Sequence, residues 1–70
     1  MLDISTSAQE IGAAVRTARK EYLLTQQQLA ELAGLSDRTV REIEKGTGTP
    51  GLKAVLTVLA VLGLKIEVAE

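Results

Sequence analysis

Apolar residues recur at helical spacing along four stretches of the chain and alternate with polar ones in a fifth. The first stretch opens with Ser7 and Glu10, a capping box, and runs through AQEIGAAVRTARKEY to about Tyr22. Ile11, Ala14, Val15, Ala18 and Tyr22 fall on one of its faces. The second has Thr25 as its cap, with Gln28 completing another capping box, and carries Leu29, Ala30, Leu32 and Ala33 as its stripe. Gly34 ends it, Leu35 plugs the corner, and Ser36 caps a third helix, Asp37 to Lys45, which buries Val40 and Ile43. The loop KGTGTPG follows, and Pro50 opens the fourth helix, capped by Thr49 or Gly51. That helix is apolar nearly all round, so it is expected to be buried on two sides, one against the first and third helices and one beneath another subunit. Gly63 stops it. Leu64 to Val68 then alternate strictly, as a strand does; with no other strand in the chain to pair with, it is expected to pair with its own copy in a homodimer.

Thr25 to Gly46 therefore reads as two short helices joined by a sharp turn, a helix-turn-helix. With Val40 and Ile43 turned inward, Asp37, Arg38, Thr39, Arg41, Glu42 and Lys45 are free for the outside. A helix of this width fits the DNA major groove, where arginine grips guanine, threonine meets a thymine methyl and an acid accepts from cytosine. Tyr22, the single aromatic residue, provides poorly for stacking on single strands.

The pattern T-Q-x-x-L-A-x-x-A-G-L-S followed by V-x-x-I-E-K-G, within residues 11–63, resembles the small lambda-repressor-like regulators called XRE-type. The resemblance implies an all-α, compact four-helix helix-turn-helix domain with a short C-terminal strand pairing across a homodimer. Residues 1–6, which show little pattern, are expected to form an arm, 7–63 the DNA-binding domain with its motif at 25–46, and 64–70 the dimerisation strand. The DNA-binding set that the resemblance implies is Gln26, Gln27, Ser36, Asp37, Arg38, Thr39, Arg41, Glu42, Lys45 and Thr47, with Gln26, Lys45 and Thr47 on the backbone and Arg38 and Arg41 at or near bases. Asp37 is equally open to a structural reading, because an acid at a helix start favours the dipole. Arg19 and Glu44 match a pair that ties the first helix to the recognition helix. In KEYLLTQ, Leu23 stands where the family commonly has glycine, which leaves the turn geometry open; one reading buries both Leu23 and Leu24, one of them as the apolar residue before the Thr25 cap. The dimerisation residues are Val58, Val61, Leu62, Leu64, Ile66 and Val68.

The ending V-L-x-x-L-G-L-K-I-E-V narrows the likeness to HipB-type antitoxins. It implies a repressor that reads an inverted-repeat operator in double-stranded DNA and partners a HipA-type kinase toxin. Glu70 closes the chain soon after the strand, so a toxin contact through a longer tail is not expected.

Composition limits the other classes. Seventy residues allow one domain with a marginal core, for which a partner subunit is expected to help. Without cysteine or histidine there is no disulfide, thiolate metal site or usual general base, so neither an enzyme nor a cofactor or metal is expected. No targeting peptide is evident and Leu52 to Leu64 is too short to span a bilayer, which leaves no membrane role and points to the cytoplasm, at the nucleoid. The net charge is −1 and the pI about 5.4, against whole-surface DNA binding, yet most bases lie between residues 16 and 53. Arg16 and Lys20 are open to two readings, phosphate contact or ordinary solvated surface. A protein-binding module that holds a toxin or other partner, with DNA secondary, is the second reading; a purely structural bundle is the third.

Overall fold

The computed structural model describes residues 4–67, and residues 4–6 by backbone alone. Among the described residues the helices follow in the order α1 (Ile4–Glu21), α2 (Gln26–Ala33), α3 (Asp37–Lys45) and α4 (Leu52–Val61). None is long and apolar enough to cross a membrane. α1 begins at Ile4, so the expected arm contributes residues 4–6 to the first turn of the helix instead. A cap worth about 1 kcal/mol is a weak stop, and neither proline nor glycine stands among these residues to break the helix.

The local signals around the motif hold. Gly34 and Gly46 close α2 and α3 in the left-handed conformation, and Ser36 caps α3. α4 is capped by Gly51 and gives way at Leu62 and Gly63. Leu64 to Glu67 belong to no helix or strand, since a strand exists only through its pairing and the chain offers these residues no edge; Val68 lies outside the described residues.

The core is small and almost wholly aliphatic: Val15 and Ala18 of α1, Leu29 and Ala30 of α2, Val40 and Ile43 of α3, with Val58, Leu59 and Leu62. Three expected core positions lie outside it. Ala14 and Leu32 sit on the flanks of their helices, and Tyr22 falls beyond the last residue of α1, so all three are exposed. α4 also packs differently from the expectation, mainly on α2 with a smaller contact to α3.

Backbone contact sets α1 against α3. A Cβ added at Gly12 would lie 2.4 Å from the Ile43 carbonyl oxygen, and one at Gly46 2.5 Å from the Gln9 Cα. Only glycine allows this approach, and at Gly46 the φ of 72° asks for glycine a second time. α3 is thereby held at its C-terminal end, while Asp37 and Arg38 at its start stay exposed.

Candidate nucleic-acid interface

α2 starts with a complete capping box: Gln28 N donates to Thr25 Oγ1 at 3.0 Å and Thr25 N donates to Gln28 Oε1 at 2.9 Å. This leaves Gln26 and Gln27 as the first-turn side chains not occupied in capping. Gln27 is exposed. Gln26 is half-buried, and its Nε2 donates to Glu44 Oε1 at 3.2 Å. An amide nitrogen has two protons, so one remains for an outside acceptor such as a phosphate.

Glu44 is the centre of a clasp. Arg19 donates from Nε to Glu44 Oε2 at 2.7 Å and from Nη2 to Oε1 at 3.1 Å, while its Nη1 donates to the Leu24 carbonyl at 2.8 Å. The two side chains are 10% and 5% exposed. Desolvating such a pair is costly, and a two-pronged geometry with a third acceptor is what compensates it. No buried side-chain polar atom among the described residues lacks a partner. One ion pair thus joins the end of α1, the α1–α2 turn, the start of α2 and the end of α3.

The α1–α2 turn departs from the reading that buries both leucines. Leu23 has a φ of +59°, the left-handed region where a Cβ is penalised, and it is 89% exposed. Leu24 alone tucks against the core. The turn needs a left-handed residue because Leu23 N bonds back to the Lys20 carbonyl and Leu24 N to that of Arg19, which closes the end of α1 as a glycine would.

On α3, Ser36 Oγ accepts from Thr39 N at 3.2 Å and lies 2.9 Å from Thr39 Oγ1. One of these two hydroxyl protons satisfies the other residue, and one stays free. Arg38 is exposed and has no hydrogen-bond partner among the described residues. Arg41 Nη1 donates to Asp37 Oδ2 at 2.9 Å, one helical turn back, with both groups about half exposed. Lys45 is exposed and Glu42 half-buried. Thr47 Oγ1 donates to the Glu42 carbonyl at 3.3 Å and accepts from Thr49 N at 3.2 Å, so its single proton holds the loop together and is not open to a phosphate in this arrangement. On this surface the bases Arg38, Arg41 and Lys45 outnumber the acids Asp37 and Glu42, Glu44 being neutralised by Arg19. The local balance is mildly positive although the whole chain is at −1.

The dimerisation residues separate. Val58 and Leu62 are 0% and 3% exposed and belong to the core of the single chain, because α4 turns them toward α2. Val61 is exposed, but it stands about 140° round the helix from Leu56. Leu64 and Ile66 line a crevice with Ile11 and Leu59, and Ile66 borders a second one with Leu52 and Val55. Leu52 and Leu56, absent from the expected set, are 67% and 46% exposed. Their four-residue spacing was the signal that could have found them. Equally legible, and missed, was the i, i+4 spacing of Asp37 and Arg41.

Residues 15–68 match the helix-turn-helix family. The chain is 42% identical over 59 residues to an uncharacterized HTH-type transcriptional regulator, y4mF, of Sinorhizobium fredii, covering 84% of this chain and 78% of that protein. It is 38% identical over 57 residues to an immunity repressor protein of Bacillus phage phi105, covering 81% of this chain but 40% of the repressor. A third relative is an uncharacterized HTH-type transcriptional regulator of Methanocaldococcus jannaschii, MJ0272, 43% identical over 49 residues, covering 70% of this chain and 74% of that protein. With its capped α2, left-handed glycine turn and outward-facing α3, the chain belongs to the XRE-type helix-turn-helix family of DNA-binding transcriptional regulators.

Proposed function

We propose that the chain is a sequence-specific repressor acting as a homodimer, which sets two copies of α3 into successive major grooves of an inverted repeat about 34 Å apart. The observation that carries this reading is the clasp of Arg19, Glu44 and Gln26, which holds a candidate phosphate donor in fixed register with the exposed Arg38, Arg41 and Lys45. Arg38 and Arg41 read bases, Gln26, Gln27 and Lys45 contact the backbone, and Ser36, Thr39 and Glu42 adjoin them. Leu52, Leu56, Leu64 and Ile66 form one apolar flank for the second subunit, with the alternation from Leu64 to Val68 supplying the shared strands. The likeness of its ending to HipB-type antitoxins makes autorepression of a toxin-antitoxin operon the physiological role, with a HipA-type kinase toxin as partner. That the relative from phage phi105 is named an immunity repressor agrees with repression.

The test is titration of the purified protein against the DNA upstream of its own gene and against an unrelated duplex, at two salt concentrations. Tight, salt-sensitive binding to the upstream piece supports the repressor; equal weak binding to both removes it. The second reading, a protein-binding module that neutralises a toxin, is favoured by Tyr22, Leu23 and Leu32, large apolar side chains 61%, 89% and 62% exposed. Equal weak binding would promote that reading and make a pull-down from the native host the next step.

A further inference from the structure

The pair of Asp37 and Arg41 has little to do for the fold. Both side chains are about half exposed, and an exposed pair one turn apart adds little to stability. Nor is Asp37 needed as a cap, since Ser36 already accepts from Thr39 N. What the contact does change is Arg41 itself. One of its five N–H groups is taken by the Asp37 carboxylate through Nη1, which restrains a long side chain and leaves the Nε and Nη2 donors together as a free fork.

We infer that Asp37 is a specificity-determining positioning residue, which acts through Arg41 to convert a general phosphate-binding cation into a reader of guanine. The inference rests on the reading of α3 as the recognition helix and adds the division of labour within it. A phosphate attracts Arg41 by charge, and the neighbouring carboxylate opposes part of that attraction. Guanine offers two acceptors, N7 and O6, in a fixed geometry, and a fork already aimed loses less freedom in meeting them. Asp37 therefore weakens binding to arbitrary DNA more than to the right site. Arg38, which has no such neighbour bond, remains a cation for either use.

The test uses the full chain. Wild-type protein selects duplexes from a random pool, and the enriched duplex and a scrambled one of equal length are titrated with wild type, Asp37→Asn, Arg41→Ala and the double variant at several salt concentrations. Asp37→Asn is expected to bind the scrambled duplex several-fold tighter, with a salt slope steeper by about one phosphate. The ratio of the two affinities should fall by a similar several-fold factor, since the enriched duplex gains less from the lost carboxylate. In the Arg41→Ala background the same substitution should leave the ratio unchanged. A ratio indifferent to Asp37→Asn, or an equal loss on both duplexes that follows a lowered melting temperature, overturns the positioning role while DNA recognition stands. A pool in which nothing is enriched overturns the DNA reading, and the role of Asp37 with it.

Discussion

Gln26 Nε2 donates to Glu44 Oε1 at 3.2 Å, joining the first residue of α2 to the penultimate residue of α3. Because the same oxygen accepts from Arg19 Nη2, the orientation of the half-buried Gln26 amide depends on a buried ion pair. Replacing Glu44 by alanine should cost about 3–5 kcal/mol, since it strands the Arg19 guanidinium. Replacing both residues, Arg19→Met with Glu44→Leu, should restore most of that stability in a urea titration. The double variant should still bind DNA less tightly than wild type, because nothing then orients Gln26. Full recovery of affinity would mean that Gln26 needs no such support.

Leu23 offers the opposite case, a residue at odds with its backbone. Its left-handed conformation costs about 1–2 kcal/mol, and its exposed side chain returns almost nothing by burial. Leu23→Gly should therefore stabilise the chain by about 1 kcal/mol, after allowance for the greater freedom of glycine in the unfolded state. Thermal unfolding followed by circular dichroism checks the sign.

Gly12→Ala should destabilise by about 1–3 kcal/mol, since the contact it tightens is with backbone carbonyls that cannot rotate away. As α1 is pushed off the end of α3, DNA affinity should fall by more than the lost stability explains. Affinity measured well below the melting transition separates the two effects.

On the DNA side, Arg38→Ala should relax preference at one base pair by roughly 1–3 kcal/mol, whereas Lys45→Ala should weaken all duplexes alike and reduce the salt slope by about one. Competition titrations with single-base variants of the site distinguish them. If both changes leave binding untouched, the assigned face is wrong.

For the apolar flank, Leu56→Glu should yield a folded monomer by analytical ultracentrifugation. Val58→Ala, one of the expected dimer positions that the fold buries, should instead lower stability by about 1–3 kcal/mol and leave subunit association to be judged only on the protein that remains folded. A Leu56→Glu protein that sediments with wild type would move the dimer contact away from this flank.

The helix ends and caps of the motif were legible residue by residue. Thr25 with Gln28, Ser36, Gly34 and Gly46 all act on backbone groups within a few positions of themselves, so a string of residues already contains both sides of each interaction. The pairing of Arg19 with Glu44 was legible through the family pattern, and the structure brings the two together. Other features were decided only by the way the helices meet. Ala14 and Leu32 look as apolar as Val15 and Leu29, and which of them is buried depends on how each helix is rotated against its neighbours. Val58 and Leu62 passed for interface because an all-apolar helix does not mark its own inner side. Gly12 gave no local signal, its importance lying in a carbonyl more than thirty residues away. Capping and turn chemistry are short-ranged and therefore written locally, while burial, close approach and the Gln26 to Glu44 bond are properties of two distant segments at once.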